Sequence, residues 1–259
     1  MLDSLRTLFQ EPLAFFDQAI FRVLAVLIAL CCHECAHAFA ADRCGDDTAR
    51  RAGRLTLNPL AHLDPLGTVL MFFAGFGWAK PVPVNPYRYR GDRRKADIKV
   101  SLAGITVNLI LFVAFTLLAV LLSAFMWRGE IVSEVGLSVL VSYRYNAVWS
   151  VMAGSVMEDF GELIAVSALA PFVRLSAYTA LINLNLAVFN LLPLPPLDGY
   201  HVFNDIVFKG RFQLSHRAFQ IGMLVVLVLS AQGILGRIIS AVVYPAQSLV
   251  LWPIRAIWG

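Results

Sequence analysis

His33, Glu34 and His37 are the residues of this 259-residue chain whose types and spacing could do chemistry together. On an α-helix at 100° per residue, His33 and His37 stand about 40° apart on one face. Two neutral imidazoles one turn apart can grip a divalent metal, and Glu34 is close enough to accept a proton from a metal-bound water. The motif closes an apolar run, Ile20 to Cys32. Ionisable side chains in an apolar helix of membrane length are expensive and default to a functional reading. The bland reading is a pair of helix histidines hydrogen-bonded inside a bundle core.

The elements that must position these groups belong to a membrane protein. Hydrophobic residues make up 59% of the chain and charged ones only 15%, with a mean hydropathy of +0.71. A soluble domain of this size carries far more charge. No polar stretch is long enough for a separate soluble domain, so residues 1–259 read as one membrane-embedded unit. The net charge of +4 is concentrated in loops and carries topology information; nucleic acid is not an expected partner. Cys31, Cys32, Cys35 and Cys44 surround the motif without implying disulfides, since helix geometry disfavours bridging them. They read as soft metal ligands or, more plainly, as small apolar fillers. No cleavable signal peptide is evident, because the apolar run continues into the ionisable motif.

The expected fold class is an all-α polytopic membrane protein with about four spanning helices. Residues 1–17 form an interfacial helix that Pro12 kinks or ends. Spans follow at 19–42, 99–126, 167–192 and 218–243, and a tail with Trp252 and Trp258 is interfacial. Region 54–84 is different. Residues 54–57 alternate like a short strand, 66–79 are too short to span and suit a re-entrant segment, and Pro81 to Val84 reads as an edge strand. The sequence does not settle whether 127–166 lies on the membrane surface or dips into it. With four spans, residues 43–99 and 194–217 share one side and hold 14 of the 21 basic residues. The positive-inside rule puts that side, and the metal-bearing end of the first span, in the cytoplasm.

A catalytic zinc site needs a third protein ligand and an open position for water. Asp198 is the candidate. It follows Pro193, Pro195 and Pro196, which must break the third span, and a broken helix at membrane depth is tolerated where it is buried or lines a wet cavity. The competing reading is an Asp at an ordinary Leu-Asp-Gly turn.

Three stretches carry a resemblance. His33-Glu34-Cys35-Ala36-His37, Leu57-Asn58-Pro59-Leu60-Ala61-His62-Leu63-Asp64-Pro65-Leu66-Gly67 and Asn190 through Asp198-Gly199 resemble, in order, the site-2 protease family of intramembrane zinc metalloproteases. Phe76 through Pro86 is similar to that family's short bacterial branch, which lacks PDZ and CBS domains. The resemblance covers about residues 20–110 and 180–205. It implies one Zn2+ per chain held by His33, His37 and Asp198, with Glu34 as general base. It also implies a transmembrane protein substrate cut near the cytoplasmic face of the cell (inner) membrane. One departure is Ala103-Gly104-Ile105 before Asn108, where the family commonly has Ala-Gly-Pro.

Further residues have lesser claims. Asn190 could donate to an oxyanion or position substrate, or it could be a helix–helix hydrogen bond. His62 and Asn108 are secondary candidates, with His62 read first as a capping or interfacial histidine. Lys80 reads as a snorkelling cation. A helical substrate must be unwound to be cut, and segments 54–57 and 80–84 could hold it by edge pairing. Two other function classes compete. A metal transporter should line several spans with polar groups, yet 99–126 and 218–243 are almost wholly apolar. A non-catalytic scaffold that binds membrane helices would not need Glu34.

Overall fold

A computed structural model describes residues 9–65, 67–69, 79–212 and 215–258. Pro12 opens the first long helix, α1 (Pro12–Arg43), because its missing N–H and fixed φ suit a first helical position. The expected boundary at 19 therefore moves outward: Phe9 and Gln10 are helical, Glu11 is the break, and Pro12 starts a helix. After α1 the chain makes a short α2 (Thr48–Arg51) and two single 3₁₀ turns, Pro59–Ala61 and Pro86–Arg88. Asp92 then caps α3 (Arg93–Met126), its carboxylate accepting the N–H groups of Arg94 and Lys95.

Segment 127–166, ambiguous in the sequence, folds into four short helices: α4 (Gly129–Val135), α5 (Leu137–Leu140), α6 (Asn146–Ala153) and α7 (Val156–Phe160). They pack around Met126, Trp127, Leu137, Val151 and Ile164, closing the end of α3 remote from the histidine motif. α8 (Ala170–Leu191) returns from there and ends ahead of the proline cluster. α9 (Asp198–Val207), α10 (His216–Ala231) and α11 (Ile234–Trp258) complete the chain.

Among the described residues four helices are long and apolar enough to cross a membrane, and they fall within α1, α3, α8 with its preceding turn, and α11. The fourth expected span, 218–243, is instead split. Gln232 stops α10 and Gly233 turns the chain with φ +71°, a conformation that favours glycine. The long helix is then α11, which absorbs the tail read as interfacial. Gln247 on α11 reaches back to the end cap, accepting the Tyr143 N–H and donating to Val141 O.

α3 and α8 form the most extensive pair, with α1 packed on both. Many of their buried residues are small or polar, among them Ser101, Gly104, Thr116 and Ala119 on α3 and Ala177, Thr179, Ala180 and Ala187 on α8, beside larger ones such as Phe112 and Leu184. In lipid no hydrophobic force drives helices together, so close backbone approach through small residues does that work.

Segments 54–57 and 80–84 form no ladder. The pairing in this region, among the described residues, is one bridge, Leu63 with Ala79, together with the Lys80 N–H donated to His62 O at 2.8 Å. Pro81 and Pro83 have no N–H, and the Arg54 guanidinium takes the Lys80 and Pro81 carbonyls that a ladder would need. The run 66–79 expected to be re-entrant lies outside the described residues, apart from 67–69 and Ala79.

One buried charge ties the remote end together. Arg174 on α8 holds Asp17 Oδ2 at 2.5 Å and Met152 O at 2.9 Å, and stacks on the Phe21 ring at 4.3 Å. Asp17 is half-exposed, which weakens the ion pair but not the carbonyl bond. Arg174→Ala is expected to destabilise the fold by about 1–3 kcal/mol. Thermal unfolding in detergent measures this, and the metal content of the folded fraction should stay unchanged.

Candidate metal centre

His33 and His37 lie one turn apart on the buried face of α1, 5% and 9% exposed. Their Nε2 atoms are 2.9 Å from each other. Asp198 Oδ2, more than 160 residues away in sequence, lies 3.2 Å from His33 Nε2 and 3.3 Å from His37 Nε2. Among the described residues this is the one group of three or more His, Cys, Asp or Glu side chains whose ligand atoms all fall within 4.8 Å of one another.

The tautomers explain why the arrangement asks for a cation. His37 Nδ1 donates to Val100 O at 2.8 Å, so in the neutral ring the Nε2 lone pair faces inward. His33 Nδ1 lies 3.2 Å from the Asn108 amide. Turned so that its oxygen faces the ring, that amide accepts the Nδ1 proton and gives the otherwise unpartnered Asn108 Oδ1 a partner. Two lone pairs and a carboxylate oxygen then converge on one point. Tetrahedral zinc with bonds near 2.0–2.1 Å separates its ligand atoms by about 3.3 Å, close to the spacing found.

Backbone fit brings α3 up to the site. A Cβ on Gly104 would stand 2.5 Å from His33 Cε1 and 2.7 Å from both ring nitrogens. Only a residue without a side chain lets α3 pass here. Gly199 does the same for α9, where a Cβ would meet Leu191 O at 2.4 Å. Neither glycine was singled out by sequence reasoning; small-residue spacing on a spanning helix was the available signal.

Glu34 sits between the two histidines in sequence, and its Oε2 accepts the Val82 N–H at 2.9 Å. Asn108 is fully buried against His33. His62 is buried but not brought to the cluster: its Nε2 donates to Thr56 O at 2.8 Å, which makes it a loop staple. Asn190 lies half-buried on the last turn of α8, with no hydrogen bond to the site among the described residues. All four cysteines are free thiols.

A bundle of apolar helices that converges two histidines and an aspartate on one point defines a membrane protein with a candidate metal site. The model of Peptidase family M50 matches residues 21–231, and the chain belongs to that family. It is 38% identical over 232 residues to the Bacillus subtilis protein named "Putative zinc metalloprotease YwhC", covering 89% of this chain and 84% of that one. "Putative zinc metalloprotease Rip2" of Mycolicibacterium smegmatis is 29% identical over 239 residues, 90% of this chain and 75% of that one. The Mycobacterium tuberculosis protein of the same name is 30% identical over 200 residues, 73% of this chain and 58% of that one. No solved structure matches the chain.

The Gly104 contact gives a direct test. Gly104→Ala improves local helix propensity by up to about 1 kcal/mol yet drives a methyl into the His33 ring. Metal affinity is expected to fall about 10–100-fold. Elemental analysis checks this beside Gly129→Ala, where nothing lies within 4 Å of the new Cβ, and which should bind metal as wild type does.

Proposed function

We propose that this membrane metalloprotease is an intramembrane zinc endopeptidase that cuts membrane-spanning proteins near the cytoplasmic face. The observation that carries the reading is the convergence of His33 Nε2, His37 Nε2 and Asp198 Oδ2, with Glu34 next in sequence to the first of them. Names of the relatives that specify a zinc metalloprotease support zinc as the metal and peptide hydrolysis as the reaction. A carboxylate with two imidazoles is a ligand set that suits zinc.

Zinc held by the three side chains would supply Lewis acidity and a water of lowered pKa. The chain's own residues do the rest. Asn108 and Val100 O fix the two ring orientations, as outer partners of metal-binding histidines do. Glu34 accepts the proton of the attacking water and passes it to the leaving amine, a general base becoming a general acid. With one oxygen engaged by the Val82 N–H, Glu34 keeps the other for that proton.

Helix length supports a cut near one face. His33 lies ten residues before the end of α1 at Arg43, which is about 15 Å along the axis, and this supports a site inside the bilayer but towards one face. The basic residues of 43–99 and 194–217 share that face, which supports a cytoplasmic orientation. Edge pairing of substrate with 80–84 loses support, because the Lys80 and Val82 donors are both engaged within the chain.

Elemental analysis of detergent-purified protein should return near one zinc per chain, lost in both His37→Ala and Asp198→Ala. Glu34→Gln should keep its zinc while cleavage of a single-span reporter polypeptide falls at least about 100-fold. Zinc that survives Asp198→Ala, or cleavage that survives Glu34→Gln, contradicts the assignment.

A further inference from the structure

We propose that Arg54 is a positioning residue for Glu34, acting through the backbone of Lys80, Pro81 and Val82. The inference rests on the general-base reading of Glu34 given above.

Arg54 is buried, only 8% exposed, and among the described residues it has no carboxylate partner. Its guanidinium goes instead to two successive carbonyls, Lys80 O at 2.5 Å and Pro81 O at 3.4 Å from the same Nη2. A buried cation must find acceptors, and spending it on one short segment fixes that segment. The next backbone donor along the segment is the Val82 N–H, and it is this group that Glu34 Oε2 accepts at 2.9 Å. Guanidinium, carbonyls and carboxylate thus lie in series: the grip at 80–81 sets where the donor at 82 points.

Three features make the linkage stiff. Pro81 and Pro83 flank Val82, fixing φ on both sides and leaving Val82 as the donor between them. The Val82 side chain is buried against Ala38 and Ala49, and Ala38 is four residues along α1 from Glu34, so the segment lies over the motif. The far end is pinned by the Lys80 N–H on His62 O at 2.8 Å, and Arg54 is itself held by its N–H on Ala49 O at 2.9 Å. Neither Arg54 nor Val82 touches the metal-binding atoms. Their effect reaches the chemistry only through which way the Glu34 carboxylate faces.

A residue that merely staples the loop would affect stability and substrate binding, and its loss would add to other losses. A positioning chain behaves differently. Arg54→Gln and Val82→Pro, which deletes the N–H, are each expected to lower kcat about 10–100-fold on a fluorescent single-span reporter in detergent. KM should stay within about twofold and zinc content should equal wild type. The double variant should be no slower than the slower single, because both break one series connection. Arg54→Lys, which keeps a donor but not the planar fork, should recover part of the rate. Independently of turnover, amide hydrogen exchange across 79–85 should quicken in Arg54→Gln. Additive losses, a loss confined to KM, unchanged exchange or loss of zinc in the single variants would each overturn the proposal. Glu34→Gln run alongside separates the two readings. If it cleaves like wild type, the general-base reading fails; if it is inactive while Arg54→Gln is unaffected, only the role of Arg54 fails.

Discussion

Two imidazole lone pairs and a carboxylate oxygen aimed at one point repel one another, and the fold must hold them together; in the proposed reading a cation relieves the repulsion. The spacing is tight, with Nε2 atoms at 2.9 Å and Asp198 Oδ2 at 3.2 and 3.3 Å. Such pre-organisation needs every alternative escape closed. For His37 it is the donor bond to Val100 O that prevents the ring from turning its lone pair outward; for His33 it is Asn108 and the bare backbone of Gly104 pressed on the ring. Burial strengthens each of these bonds by excluding water as a competitor.

The Asp198 side of the site solves a different problem, that of keeping a carboxylate ionised inside an apolar protein. Asp198 is the first residue of α9, where the helix dipole favours negative charge. An aspartate in the middle of α8 would have had no such help. The proline cluster that ends α8 is therefore part of the site, since it allows a new helix to begin where the ligand is needed. Gly199 then lets that first turn approach the Leu191 carbonyl, which no residue with a Cβ could do.

Much of this was legible in sequence, and the rest was not for physical reasons. The two histidines and Glu34 form a local pattern with a fixed helical consequence, so their geometry followed from spacing alone. Asp198 could be singled out because proline forces a break whatever the tertiary context. Helix boundaries were less legible. Pro12 reads equally as a stop or a start, and only packing decides that α1 begins there; the split at Gly233 hides inside a continuous apolar run because glycine is common in spanning helices. Residues 54–57 read as strand-like from their alternation, a pattern that does not report whether donors remain for a ladder, and the described residues form none there. The roles of Gly104 and Arg54 depend on contacts between distant segments, such as Arg54 with Lys80, that no local pattern encodes.

The element that contributes no ligand organises the site most. α3 supplies Val100 O to His37, Asn108 and Gly104 to His33, and Asp97, whose carboxylate lies 3.7 Å from His201 Nδ1 on the helix that begins with Asp198. These positions fall at 97, 100, 104 and 108, a spacing that keeps them on one stripe of α3. Both halves of the metal site are thus referenced to a single rigid rod rather than to each other. A shift of α1 against α9 is resisted through α3 and also through α8, which packs on α1 and is closely approached by Gly199, so ligand separation is set by helix contacts as well as by the proline stretch between α8 and α9. That arrangement explains how an aspartate at the start of a helix can be held as accurately as a histidine in mid-helix.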